Sequence, residues 1–381
     1  MGDAEQQDRD QRRVAVVALN LPVDKTFDYL IPEKLRGKVE VGARVRVPFG
    51  NRKGVLGYCV GLRARPTVPE HRLKPLARCL DREPLFTPSM LKLARWIADY
   101  YHCALGEALH AALPASVRGG RQRRKLQFAQ LQMPPEEATR LADEIFDRSP
   151  AQSRILRALA EAGGEAPLVE ILKSTSTTRS SSNALRRRDQ IGIEKRTVQR
   201  EDALSELSVE PQEPYRLTPE QRAAYRTVAD RLERGRFDVV LLHGITSSGK
   251  TEVYMHCIAD VVGAGKQAIV LVPEISLTPQ TVRRFGSRFQ RLAVLHSHLT
   301  DAERRDQWQK IRHGKADVVI GARSAVFAPV PALGLVVIDE EHENSFKQDS
   351  TPRYHARDVG IMRARWEDAL VVLGSATPSL E

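Results

Sequence analysis

One stretch constrains this 381-residue chain more than any other: Val239-Val-Leu-Leu-His-Gly244-Ile245-Thr246-Ser247-Ser248-Gly249-Lys250-Thr251. A short apolar run enters the pattern G-x-x-x-x-G-K-[ST], which grips phosphate only when a strand leads into it and a helix leads out. The glycines let backbone N–H groups converge on phosphate oxygens that a Cβ would obstruct. Lys250 is placed to reach the β- and γ-phosphates, and the Thr251 hydroxyl to ligate Mg²⁺. Glu252–Ala259 is expected to continue as a helix whose positive N-terminal dipole faces the anion. The cofactor this loop implies is ATP with Mg²⁺.

The metal side of such a site needs an acid at the carboxyl end of a neighbouring strand, where ligands of α/β sheets bind. Leu335-Val-Val-Ile-Asp339-Glu340-Glu341-His342 has that form. Asp339 is expected to hold Mg²⁺ through water, and Glu340 to orient and deprotonate the attacking water. The plainer alternative is an acidic turn after a buried strand. Further short, nearly continuous apolar runs recur at Ala268–Val272, Leu292–Leu295, Val318–Ile320 and Leu370–Leu373. Strands of a parallel sheet buried on both faces read this way. Residues 214–381 are therefore expected to form one α/β lobe with a parallel sheet.

Upstream the pattern changes twice. Residues 1–12 read as a charged, disordered tail. Val14–Leu19 is apolar throughout, Ala43–Val47 alternates with period two, and Val55–Leu62 is β-branched, with a hairpin turn signal at Pro48–Gly54. These place a small β-barrel or sandwich in a domain spanning 13–115, closed by a helix near Thr87-Pro88. In that helix Met90, Leu91, Leu93, Ala94, Ile97 and Ala98 mark one face. Residues 116–213 combine a basic cluster (Arg118, Arg121, Arg123, Arg124, Lys125), short helices at Glu136–Phe146 and Gln152–Glu161, and a Ser/Thr run leading to Asn183-Ala-Leu-Arg-Arg-Arg188. A winged-helix-like α/β domain suits this order, as does a basic solvated linker.

The net charge of +11 favours a polyanionic partner, though a merely basic soluble protein has the same composition. No stretch approaches the roughly 18 apolar residues of a membrane span. The polar N-terminus lacks the apolar core of a signal peptide. Cys59, Cys79, Cys103 and Cys257 are scattered without a C-x-x-C pair, which argues against a disulfide framework or a zinc site here. A cytoplasmic protein with reduced thiols is the expectation.

Asp339-Glu-Glu-His342 resembles motif II of the DEAH-like superfamily 2 helicases, a resemblance that implies a RecA-like lobe over residues 214–381. Other motifs of that family follow in order: Gln221 resembles its adenine-reading glutamine, Pro273–Thr278 motif Ia, Gly321–Ser324 motif Ib and Gly374-Ser-Ala-Thr377 motif III. The whole chain is similar to the bacterial replication-restart helicases of the primosome. That resemblance implies 3′-to-5′ translocation on branched forks and single-stranded DNA. It also implies other primosomal proteins, a single-stranded DNA-binding protein and a replicative helicase loader as partners. It makes Phe27, Asp28, Gly50 and Lys74 a pocket for a nascent 3′ end. There a ring stacks on the base, a carboxylate accepts from the 3′-hydroxyl, and Lys74 meets phosphate. On the residues alone, Phe27 would be core and Lys74 surface.

Between motifs II and III, Ser345–Asp358 resembles the aromatic-rich loop of this family and of RecQ helicases. Phe346, Tyr354 and His355 would stack on bases, and Arg357 would reach a phosphate; alternatively the aromatics pack inward. His342 and the loop 244–251 would line the nucleotide site. The chain ends just after motif III, so a second lobe with its arginine finger, and the paired cysteines that bind zinc in the family, are expected only in a C-terminal part outside this chain. Such a fragment would bind ATP weakly and barely hydrolyse it. A different class of function stays open: a fork-binding, partner-loading module without an effective motor. A nucleotide kinase or transporter ATPase fits poorly, because neither explains the Asp-Glu-Glu-His and Ser-Ala-Thr motifs.

Overall fold

The computed structural model describes residues 14–118, 126–196, 211–297 and 299–380. They divide into two compact units, one drawn from 1–120 with 202–381 and the other from 121–201. The expected domains 13–115 and 214–381 thus pack into a single body, and only the middle segment stands as a unit of its own. The expected tail 1–12, and Arg121, Arg123, Arg124 and Lys125, lie outside the described residues.

The chain opens with β1 (Val14–Leu19), β2 (Phe27–Leu30), β3 (Arg44–Phe49), β4 (Arg52–Arg63), β5 (Lys74–Pro75) and β6 (Arg78–Cys79), in the sheet order β5-β2-β1-β4-β3-β6. β3 and β4 form the expected antiparallel hairpin, with Phe49 opposite Arg52. β5 joins β2 at one edge while β6 joins β3 at the other. A single segment, Lys74–Cys79, therefore touches both edges, and the mixed sheet curls on itself. Curling buries all of β1. Ala15, Val17 and Leu19 point into the curl, while Val16 and Ala18 face the helices that cover its outside. The first of those helices, Pro88–Tyr100, begins where Thr87 Oγ1 accepts from the Met90 N–H (3.2 Å), and it buries the six residues that the periodicity marked. A second follows at Leu105–Ala111 and a single turn at Ala115–Arg118. The core on this face continues without a break into that of the C-terminal lobe.

The middle unit is a three-stranded antiparallel sheet in the order β8 (Glu165–Pro167), β7 (Leu126–Leu131), β9 (Ile191–Arg196). Helices Pro135–Glu144 and Pro150–Glu161 realise the two expected ones; Leu168–Ser174 and Arg179–Arg187 follow. Ile155, Leu156, Leu159 and Leu185 fill its core, and Arg186, Arg187 and Arg188 are exposed at a helix C-terminus.

The lobe is a parallel six-stranded sheet flanked by helices. Its strands are β10 (Asp238–His243), β11 (Gln267–Leu271), β12 (Leu292–Leu295), β13 (Val318–Gly321), β14 (Leu333–Asp339) and β15 (Leu370–Ser375), ordered β10-β15-β14-β11-β13-β12. Each expected apolar run is one of these strands. β10 departs from the expected two-sided burial: Val239 and Leu241 are exposed while Val240 and Leu242 pack inward. It is an edge strand with a hydrogen-bonded neighbour on one side only. The order matters for chemistry, because β15 lies between β10 and β14. It inserts Gly374-Ser375 between the phosphate loop and Asp339.

Candidate nucleotide site

Gly244-Ile-Thr-Ser-Ser-Gly249-Lys250-Thr251 turns from β10 into the helix Lys250–Gly263. Gly249 occupies its N-cap at φ +83°, and a Cβ there would stand 2.3 Å from Gln221 Nε2. Glycine alone satisfies both the left-handed backbone and the close approach. The buried Lys250 ammonium lies inside the loop, donating to Gly244 O (2.8 Å) and facing Glu340 Oε1 at 3.6 Å. Gly244 N–H donates to Ser375 O (3.1 Å), tying the loop to β15. Gln221 closes a capping box with Thr218 and donates to Ser248 O (2.9 Å), so its amide braces the phosphate loop itself.

Asp339 ends β14 opposite Gly374. Its Oδ1 accepts from the buried Tyr254 hydroxyl at 3.1 Å. Burial raises the Asp339 pKa, opposed by the Tyr254 hydrogen bond and by Lys250. Thr251, Tyr254, Arg284 and Asp339 line one cavity of about 160 Å³. A buried ammonium in a glycine-lined loop, with a hydroxyl and a carboxylate on a shared cavity, is a donor set that fits a Mg²⁺-bound triphosphate. His342 Nδ1 pairs with Ser375 Oγ (2.7 Å) and its Nε2 with Thr377 Oγ1 (3.3 Å), joining the acidic strand tip to the segment after β15.

Two participants escaped the sequence reading. Tyr254 stands four residues after Lys250 on the same helix, a spacing that brings side chains to one face and could have found it. Glu252, buried, pairs with Arg288 (2.7 Å) and Arg284 (3.5 Å), locking the phosphate-loop helix to the next layer, and with His256 (3.5 Å) one turn along its own helix.

The loop between β14 and the helix Ala356–Trp366 corrects the expectation of a base-stacking surface. Phe346 and Tyr354 are 0% and 1% exposed, and Tyr354 packs edge-on to Phe327 at 5.1 Å. Both rings are core because the loop folds back, with Lys347 bridging His355 and Gln348 N–H donating to Tyr354 O (2.9 Å). His355 Nδ1 caps the helix, accepting from Arg357 N–H at 3.2 Å. Arg357 does not face solvent for a phosphate: it donates to Glu341 Oε2 (2.9 Å) and Ser379 Oγ (2.6 Å). Burial works to raise the Glu341 pKa, but the Ser379 N–H and Arg357 outweigh it and hold the carboxyl below its ordinary value.

The four N-terminal candidates fall on the curled sheet. Phe27 lies edge-on to Phe49 (5.1 Å) with the Lys25 ammonium 5.3 Å from its ring, and Gly50 follows Phe49 in a left-handed turn. Lys74 is exposed on β5, opposite Tyr29. The Asp28 side chain is only 3% exposed, and its Oδ2 accepts from Thr67 N–H (2.6 Å) and Thr67 Oγ1 (2.8 Å) beside Arg63 (3.7 Å). It is thus engaged by the chain itself.

A phosphate loop on an edge strand, an acidic tip two strands away and a Gly-Ser pair between them make residues 214–381 a P-loop α/β lobe. Residues 218–381 match the DEAD/DEAH box helicase family, and residues 16–114 match the 3′DNA-binding domain (3′BD) family. Almost the whole chain is similar to replication restart protein PriA. The Bacillus subtilis protein is 35% identical, covering 94% of this chain and 52% of that protein. That of Haemophilus influenzae is 37% identical, covering 97% and 50%. The Synechocystis protein is 32% identical, covering 99% and 53%. The chain spans about half the length of these curated relatives. Among the described residues no helix is long and apolar enough to cross a membrane.

Proposed function

We propose that this chain is the DNA-recognising and ATP-binding part of a 3′-to-5′ DNA helicase that restarts replication at abandoned forks in the cytoplasm. The observation that carries the reading is the convergence of Lys250, Thr251, Asp339 and Glu340 at the carboxyl ends of β10 and β14. In this reading the loop 244–251 cradles the triphosphate and Thr251 and Asp339 hold Mg²⁺. Glu340 orients the attacking water, and His342 links hydrolysis to the segment after β15. Mg²⁺ held by Thr251 and Asp339 would neutralise charge on the triphosphate. Gln221 exchanges its bond to Ser248 for the adenine edge.

Phe27, Gly50 and Lys74 form the rim of a 3′-end pocket, with Asp28 freed for the 3′-hydroxyl when the Thr67 strap moves. The basic helix of the middle unit contacts duplex DNA as a winged-helix module. Other primosomal proteins, a single-stranded DNA-binding protein and a replicative helicase loader are the partners that the resemblance to the replication-restart helicases implies.

Calorimetry with Mg·ATP tests the reading. Wild type gives binding heat, and Lys250→Ala loses it while retaining affinity for forks with a 3′-hydroxyl end. Equal heats from both proteins would overturn the nucleotide assignment, and loss of fork binding in Lys250→Ala would overturn the division of labour. Forks ending in a 3′-phosphate bind more weakly than 3′-hydroxyl forks if Asp28 reads the hydroxyl. Equal affinity removes that pocket and favours a fork-shape reader.

A further inference from the structure

Helix Pro88–Tyr100 of the N-terminal domain ends against the lobe with a directional contact. The Tyr101 hydroxyl donates to Asp358 Oδ2 at 2.9 Å and accepts from His355 N–H at 3.1 Å. The Lys347 ammonium stands 5.0 Å from the Tyr101 ring centroid. Burial raises the pKa of this phenol, so it stays protonated and remains a donor. Of its partners, His355 is the N-cap of helix Ala356–Trp366 and Asp358 lies in that helix's first turn.

From Asp358 the contacts run on toward the nucleotide site. Arg357 Nε faces Asp358 Oδ1 at 3.4 Å, and the other end of its guanidinium donates to Glu341 Oε2 at 2.9 Å. Glu341 is 2% exposed, and its backbone N–H donates to Gly374 O at 3.0 Å, beside the Gly374–Asp339 register. Four side chains, Tyr101, Asp358, Arg357 and Glu341, thus connect the domain that carries the 3′-end candidates to the strand tip that carries the catalytic ones.

We infer that Tyr101 is a positioning residue for the nucleotide site, supplied by the DNA-end domain, and that through Asp358 and Arg357 it couples DNA-end binding to the Asp339–Glu341 tip. The inference rests on the functional reading above and adds the route by which its two sites communicate. A shift of the N-terminal domain that stretches the Tyr101–Asp358 bond releases the first turn of the helix, and Arg357 with it. Glu341 then loses the cation that compensates its buried charge. A purely adhesive contact would need no such directional chain, since apolar packing along the same seam (Trp96 against Trp366, ring centroids 6.4 Å apart) already holds the two parts together.

The test is linkage. Affinity for a fluorescent Mg·ADP analogue is measured with and without a saturating 3′-hydroxyl fork, in wild type, Tyr101→Phe and Asp358→Asn. The wild-type ratio is expected to be on the order of 5-fold or more, the lower range of ordinary coupling. Both substitutions should bring it below about 2-fold, since each removes one link and neither changes side-chain volume appreciably. Reciprocal change of fork affinity on adding nucleotide must match in size. A wild-type ratio near one, or a ratio preserved in Tyr101→Phe, overturns the inference while leaving nucleotide binding intact. Absence of Mg-nucleotide binding in wild type overturns the functional reading itself, and the inference with it.

Discussion

Gly374→Ala is the substitution for which the structure makes the sharpest demand. A Cβ at this position would lie 1.5 Å from the Tyr254 hydroxyl, 2.7 Å from its ring carbon Cζ and 3.2 Å from Asp339 Oδ1. Ordinary contact for a methyl begins near 3.4 Å, so the hydroxyl must retreat by roughly 2 Å. Tyr254 is 1% exposed and cannot swing out. Any retreat of that size breaks its 3.1 Å bond to Asp339. Overpacking costs about 1–3 kcal/mol, and loss of a hydrogen bond to a charged group about 1.5–3 kcal/mol more. The sum, about 3–5 kcal/mol, lowers the melting temperature by about 6 °C or more for a body of this size. Because Tyr254 orients the Asp339 carboxylate, the Mg²⁺ concentration needed for half-maximal nucleotide binding rises as well. Thermal melts and a Mg²⁺ titration of a fluorescent nucleotide analogue measure the two effects. Pairing Gly374→Ala with Tyr254→Leu removes both clashing atoms, so the double variant should be less damaged than the sum of the singles by at least about 1 kcal/mol. A Gly374→Ala protein that melts within about 2 °C of wild type, with an unchanged Mg²⁺ requirement, refutes the packing argument.

Three further outcomes follow from burial. Arg363 is 2% exposed and donates to Val326 O (2.7 Å) and Ala328 O (2.8 Å) beside Glu367 (3.3 Å). Arg363→Met strands those carbonyls and should cost about 3 kcal/mol or more in denaturant unfolding. His110 pairs with the Tyr58 hydroxyl at 3.0 Å, and burial, aided by Arg118, pushes its pKa down to about 4. An unfolded histidine takes its proton near 6.5. Stability is therefore full above pH 6.5 and falls as pH drops toward 4, by about 1–2 kcal/mol once discounted for partial exposure. Unfolding midpoints across that range check it, and His110→Gln should flatten that part of the profile. Burial raises the thiol pKa of Cys59 and Cys257 to about 12 and of Cys103 to about 11. At pH 8 these three should resist an aromatic disulfide reagent until the protein unfolds, and fast labelling of any of them in the native state contradicts their placement.

Local patterns carried much of this protein's architecture because they are properties of one element at a time. The buried face of Pro88–Tyr100 repeats the apolar spacing residue for residue, and the phosphate loop is a contiguous run whose glycines state the backbone they need. The strands of the lobe were readable for the same reason, as short apolar runs between helices. What one element buries against another was not written in this way. Phe346 and Tyr354 have the composition of a stacking surface, yet a back-folded loop makes them core. Arg357 and Asp28 look like free charges until their partners Glu341 and Thr67, distant in sequence, arrive beside them.

Hydropathy and glycine positions act over a few residues, so the residue order alone shows that one strand ends in an anion cradle and another in acids. Tertiary structure alone decided that β15 inserts Gly374 between those ends, that Tyr254 bears on Asp339, and that Tyr101 reaches Asp358 across 257 positions. The physical reason is that strand order and domain seating are set by burial summed over the whole molecule, a quantity no local stretch contains.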